Sequence, residues 1–152
     1  MKIETVKPMQ VLCFETKTSL KEISQYVRIV VRRLYETAFQ NQFEITGPVY
    51  WIYEGADGKP DTIFTLTIAL PISPASHFDH PEFKIKSIDT FHCITGQLYG
   101  EWSNLGSKYQ ELIGEVMSQK LVMSGQNREI YIHMDFENPD RNITEVQIGI
   151  IK

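Results

Sequence analysis

Arg128-Glu129-Ile130-Tyr131-Ile132-His133-Met134-Asp135-Phe136 is followed by Asn138-Pro139-Asp140-Arg141 and then by Ile143-Thr144-Glu145-Val146-Gln147-Ile148-Gly149-Ile150-Ile151. The two outer runs are rich in β-branched and aromatic residues and the middle one in turn formers, so the stretch reads as strand, turn, strand. Upstream, Ser103 opens a helix with Leu105, Tyr109, Leu112, Val116 and Met117 on one side. Before that helix, Phe83 to Gln97 is predicted as one long strand.

The first half repeats this order. Residues 2–16 are predicted as a strand leaning on Val6, Val11, Leu12 and Phe14, with Pro8 at an edge or bend. Ser19 followed by Glu22 is a capping-box pattern. Ile23, Val27, Val30, Val31, Leu34 and Ala38 then recur at helical spacing, ending near Phe39. Gly47-Pro48 marks a turn, Val49 to Tyr53 is a short aromatic strand, and Glu54 to Pro60 leads into a β-prone strand from Thr62 to Ile72. Residues 73–82, with Pro74, His77, His80 and Pro81, form a surface connector.

The halves superimpose at an offset of roughly 80 residues, which aligns Cys13 with Cys93 and sets Trp51 near Tyr131. The expected fold is α+β: two β-α-β-β repeats, about 1–73 and 83–152, forming an antiparallel sheet with two helices packed on one face. The chain 1–152 is taken as a single domain. The sheet face away from the helices and the seam between repeats are where a ligand would sit.

Composition narrows the function. The chain has 152 residues, 42% hydrophobic and 22% charged, with a net charge of −4. That is ordinary globular usage. An acidic chain repels phosphate backbones, so direct nucleic-acid binding is not expected. The densest basic stretch, Arg28, Arg32 and Arg33, reads as a solvated helix face. No run approaches the roughly 20 apolar residues of a membrane helix. With no signal-peptide pattern at the N-terminus, a cytoplasmic location is expected, with Cys13 and Cys93 as free thiols. The sequon at Asn142-Ile143-Thr144 would then go unused. The His77-Phe78-Asp79-His80 spacing is too short and isolated to predict a metal site. No glycine-rich phosphate loop or nucleophile motif is present, and no cofactor is expected.

Alternation along Arg128–Phe136 sends Arg128, Ile130, Ile132 and Met134 to one face and Glu129, Tyr131, His133 and Asp135 to the other. The apolar set is expected to meet the helices. The other face then carries an acid, a phenol and an imidazole in a row. A carboxylate among aromatic rings loses hydration and gains from a cation that brings its own charge. The same alternation also describes the wet face of an antiparallel sheet. In the first half, Trp51 and Tyr53 share a face, with Tyr50 on the other. Phe91 lies on a strand, and Trp102 stands before the second helix as a lid or rim.

Three stretches carry a resemblance. They are Gly47–Tyr53 with Thr65–Ile72; Tyr99-Gly100-Glu101-Trp102-Ser103-Asn104-Leu105; and Arg128–Tyr131 with Thr144–Ile150. Together they resemble the GyrI-like small-molecule-binding family, whose domain also forms the effector-binding part of bacterial multidrug-sensing transcription regulators. This chain departs from the common pattern where Gly149-Ile150 stands for a proline and where Tyr99-Gly100-Glu101-Trp102 stands for Gly-Pro-Tyr. The resemblance implies an aromatic pocket between the repeats, with Glu129 of the Glu-x-Tyr motif facing cationic lipophilic ligands and Tyr131 beside it. The ligand-binding set expected from pattern and resemblance together is Glu129, Tyr131, Trp51, Tyr53, His133, Phe91 and Trp102.

The first reading is a stand-alone sensor or sequestering protein for cationic or amphipathic aromatic molecules, as a monomer or homodimer. Two alternatives stay open. The resemblance includes hydrolases of reactive cyclopropane-type toxins, in which Glu129 would be general base and Tyr131 the proton donor. The third is a protein-interaction module acting in trans on a transcription regulator or topoisomerase. A ligand carboxylate and a general base look alike in sequence, so the residues do not decide whether the chain is an enzyme.

Overall fold

A computed structural model describes residues 1–151. The elements in order are β1 (Lys2–Val6), β2 (Met9–Thr18), α1 (Ile29–Gln40), β3 (Tyr50–Glu54), β4 (Phe64–Ile72), β5 (Lys84–Ile88), β6 (Phe91–Tyr99), α2 (Leu105–Ser118), β7 (Met123–His133) and β8 (Ile143–Ile150). All paired strands run antiparallel, and the class is the expected α+β.

Contacts divide the chain into two compact units. One contains Pro8–Asp89; the other contains Met1–Lys7 together with the chain from Thr90. The first unit orders its strands β3-β4-β2-β5 and carries α1. The second orders them β1-β6-β8-β7 and carries α2.

Two expected strands prove to be four. The run 2–16 breaks at Lys7-Pro8, and the run 83–97 breaks at Asp89-Thr90. Pro8 has no N–H to give a ladder, so the strand ends there. The repeat is therefore β-β-α-β-β. β1 pairs with β6, from the second half of the sequence, with Ile3 opposite Ile94. β5 pairs with β2, from the first, with Leu12 opposite Ile85.

The first helix also differs from its expected start. Ser19 and Glu22 begin a turn, followed by one 3-10 turn at Ile23–Tyr26, and no side-chain cap forms there. Val27 is extended and Arg28 has a positive φ of 71°, so the regular helix waits until Ile29. Its buried stripe, Val30, Val31, Leu34, Thr37 and Ala38, follows the predicted periodicity. Arg32 pairs with Glu36 on the same helix, and Arg33 closes on Glu82 with two hydrogen bonds. Both helices end alike. Phe43 N–H donates to the Ala38 carbonyl and Leu121 N–H to that of Val116, each past a residue of positive φ, Gln42 and Lys120. These reverse turns satisfy the last helical carbonyls without glycine.

In the second unit the core under α2 consists of Ile94, Leu112, Val116, Val146, Ile148 and Ile150. Gly96 makes the close approach possible: a Cβ there would stand 3.2 Å from Leu112 Cδ2. Gly149 is more constrained, since a Cβ would collide with Ser124 Oγ, the Gln126 carbonyl and the Phe91 ring. In the first unit, Val11, Cys13, Ile52, Ala69 and Ile88 form a buried cluster. Its connector 73–82 is anchored by rings: His80 stacks between Phe78 and Phe83, and His80 Nδ1 accepts from the Glu82 and Phe83 N–H groups.

Both cysteines are buried and unpaired in disulfides. Burial pushes the Cys13 thiol up to about 11 and the Cys93 thiol up to about 12. The thiolate is the reactive form. Iodoacetamide should therefore label neither residue in the native protein at neutral pH, and both after denaturation. Burial of the protonated thiols contributes stability below the ordinary thiol pKa near 9 that is lost as pH rises through the folded values. A second prediction separates the glycines. Gly149→Ala should lower stability by about 1–3 kcal/mol in urea titration. Gly114→Ala, in the exposed interior of α2 with nothing within 4 Å, should raise it by about 1 kcal/mol.

Candidate functional site: a buried glutamate clamped by two phenols

The centre of β7 is buried on both faces: Arg128, Glu129 and Ile130 are 3%, 5% and 4% exposed. Register decides which face each residue joins. Glu129 lies opposite Val146, and Val146 opposite Gly96. Both of these belong to the α2 side, so Glu129 and Tyr131 point toward the helix. This corrects the expectation that Arg128, Ile130, Ile132 and Met134 would meet the helices. The physical reason is that α2 brings a hydrogen-bond donor. A buried acid is tolerated where donors meet it.

Those donors are two phenols. Tyr109 Oη, one turn before Leu112 on α2, donates to Glu129 Oε2 at 2.6 Å. Tyr131 Oη donates to Oε1 at 2.5 Å. Such charge-assisted O–H to carboxylate bonds are short and strong. Each carboxylate oxygen thus has a tyrosine on it, one from the strand and one from the helix.

An aromatic wall continues from Tyr131. The Trp102 ring meets Tyr131 edge-to-face at 5.7 Å and Phe136 at 5.4 Å. Trp102 Nε1 donates to the buried Thr144 Oγ1 at 3.0 Å, and Thr144 is the register partner of Tyr131. One threonine therefore fixes the indole that packs on the phenol. Phe136 is 39% exposed and sits in a knotted turn. Asp135 N–H donates to Asn142 Oδ1, and Asp135 Oδ1 accepts from the N–H groups of Glu137 and Asn138. The Asn138 N–H, helped by that of Glu137, holds the Asp135 carboxyl below its ordinary value. Asn142 is 1% exposed, so the sequon lacks an accessible side chain.

The remaining predicted residues fall elsewhere. His133 is exposed, beyond a register shift that separates it from Tyr131, so the bulge ends the alternation that grouped it with Glu129. Phe91 is buried on the opposite face of its unit, where the Arg128 guanidinium lies 3.9 Å from its ring centroid. On that face Arg128 Nε also donates to Gln126 Oε1, while Thr95 and Gln147 donate to Glu145. Trp51 and Tyr53 belong to the other unit, both buried; Trp51 is opposite Ile68, and the Tyr53 ring meets Phe64 at 5.5 Å. Sequence reasoning missed Tyr109, Phe136 and Thr144. Tyr109 carried a signal: a phenol inside an apolar helical stripe needs a partner for its hydroxyl. Among the described residues no three His, Cys, Asp or Glu side chains converge as a metal site, and no helix is long and apolar enough to cross a membrane.

The fold agrees with that of a known family. A family model of the GyrI-like small molecule binding domain matches residues 1–151. The chain belongs to this family. Among solved structures, the EcmrR C-terminal domain is similar at 14% identity and TM-score 0.81, over 99% of this chain and 96% of that one. EcmrR in its DNA complex gives TM-score 0.84 at the same identity, and this GyrI-like chain spans 57% of that longer chain. SAV2435 bound to tetraphenylphosphonium is similar at 11% identity and TM-score 0.67, over 99% of this chain and 93% of that one. A hydrolase encoded by lin2189 from Listeria innocua is similar at 16% identity and TM-score 0.67, over 99% and 92%. At these identities the likeness is one of fold. No curated protein matches the chain.

If the two phenols carry Glu129, they should be energetically coupled to it. Tyr109→Phe should cost about 1–3 kcal/mol in chemical denaturation. The same change in a Glu129→Leu background should cost at least about 1 kcal/mol less. Equal costs in the two backgrounds would show that the hydrogen bond carries no stability.

Proposed function

We propose that this GyrI-like domain binds aromatic or amphipathic organic cations, with Glu129 as the charge partner and Tyr131, Trp102 and Phe136 as the aromatic wall. The observation that carries this reading is the pairing of a buried carboxylate with three contiguous rings, one of them part-exposed. Ring faces and a poorly hydrated carboxylate attract the same ligand class, a cation whose charge is spread over or masked by apolar groups. Tyr109 and Tyr131 keep the acid satisfied while no cation is present. The structurally similar SAV2435, solved with tetraphenylphosphonium, gives the chemical class a precedent in this fold.

The hydrolase alternative finds support in the similar Listeria protein. Against it stands the geometry of the acid. A general base has to take up a proton, and here the hydrogen bond that each oxygen accepts from a phenol stabilises the ionised acid, which favours pairing with a cation over proton uptake. Binding is therefore the reading the site supports best. A role as the sensing part of a regulatory system, by analogy with the EcmrR C-terminal domain, follows from it as a proposal about partners.

The test is a thermal-shift and calorimetric panel of cationic, neutral and anionic aromatics on wild type and Glu129→Gln. A ligand that binds only the folded state raises Tm by mass action. Cations should shift the wild type, and Glu129→Gln should weaken them by about 30-fold or more, as expected when a desolvated charge pair loses one member. Equal shifts by neutral and cationic compounds, unchanged in the variant, would remove Glu129 from the binding site. Mass spectrometry of recovered ligand decides the alternative: chemically unchanged compound supports binding, and a hydrolysed product supports the enzyme.

A further inference from the structure

The N-terminal strand β1 forms the edge of its unit. It has β6 on one side and, among the described residues, no strand on the other. An edge strand leaves a row of N–H and C=O groups open to pairing with another chain, and proteins commonly block it with charge. The two edges of this chain differ in that respect. β5, the edge of the other unit, places Lys84 and Lys86 on one face beside Glu15. Self-pairing of β5 would set lysines against lysines in either central register. β1 instead reads Lys2-Ile3-Glu4-Thr5-Val6, with the exposed Lys2 and the half-buried Glu4 on one face as an ion pair at 2.8 Å. Met1 and Ile3, at the same end, are 58% and 50% exposed.

We infer that β1 is a self-association edge that takes the β1 of a second copy of this chain, antiparallel and centred on Ile3. In that register each Lys2 stands opposite the partner's Glu4, Ile3 stands opposite its own counterpart, and Met1 opposite the partner's Thr5. Opposite charges directly across an antiparallel pair attract, and like charges there repel. The contact is isologous, so it closes as a two-fold dimer rather than propagating. It also covers the exposed Ile3. A single five-residue strand is smaller than a standard interface, so the association is weak and depends on concentration.

Charge reversal tests the register. In sedimentation velocity over a concentration series, the wild type should move from monomer to dimer. Lys2→Glu alone sets acids against acids, and Glu4→Lys alone sets bases against bases. Each should stay monomeric where the wild type is dimeric. An equimolar mixture of the two variants should dimerise again, because the two acids of one face the two bases of the other. The double variant Lys2→Glu/Glu4→Lys should also recover the wild-type behaviour. Both rescues require folded protein, so a failure to fold does not mimic the expected result. A wild type that sediments as monomer throughout overturns the proposal. So do single variants that dimerise as the wild type does, or a mixture that stays monomeric while circular dichroism shows both variants folded.

Discussion

The arrangement of the candidate site depends on the two hydrogen bonds that Glu129 accepts. A carboxylate 5% exposed is costly without donors, and Tyr109 and Tyr131 supply one for each oxygen. Because one phenol comes from the strand and the other from α2, the acid ties helix to sheet. The missing side chain of Gly96 lets Leu112 settle against the sheet, and Tyr109, one turn earlier, is thereby delivered to the acid. The apolar packing of α2 and the polar clamp at Glu129 are consequences of one helix position.

The repeated architecture serves this site through its second unit. Each unit has four antiparallel strands and one helix, and each completes its sheet with a strand taken from the other half of the sequence. The chain path makes this possible with two short joints, Lys7-Pro8 and Asp89-Thr90. Both helices terminate through the same carbonyl-to-N–H reversal, a likeness of backbone that the low similarity of the two halves in sequence conceals. The halves diverge in chemistry at the strand after the helix. There the first unit places Trp51 and Tyr53, and the second places Glu129 and Tyr131.

Much of this was legible in the sequence. The strands Tyr50–Glu54, Phe64–Ile72 and Ile143–Ile150 and the stripe of α1 fall where periodicity put them, because each has a strong apolar pattern with turn formers at its ends. The broken strands were less legible, since two short strands joined by two residues keep the alternation of one long strand. The late start of α1 was hidden by a capping-box pattern at Ser19 that the chain uses for a turn. The facing of β7 was not legible at all. Alternation separates residues into two sets without saying which set the helix covers, and here both sets are buried. Hydrophobicity favoured Ile130 for the helix side; the phenol on α2 reversed that choice, and its position over Glu129 depends on tertiary packing. His133 was misplaced by a bulge with no sequence mark. Glu129 and Tyr131 were singled out as candidates by strand alternation together with the resemblance to a Glu-x-Tyr strand.

An incoming cation is expected to join an acid already held in place by phenols. The most direct test is a crystal structure of the protein with a bound aromatic cation. The charged centre of the ligand should lie beside the Glu129 carboxylate, with the Tyr131 and Trp102 rings against its apolar groups. Ligand bound elsewhere, with Glu129 still accepting from both Tyr109 and Tyr131 as in the free protein, would contradict it.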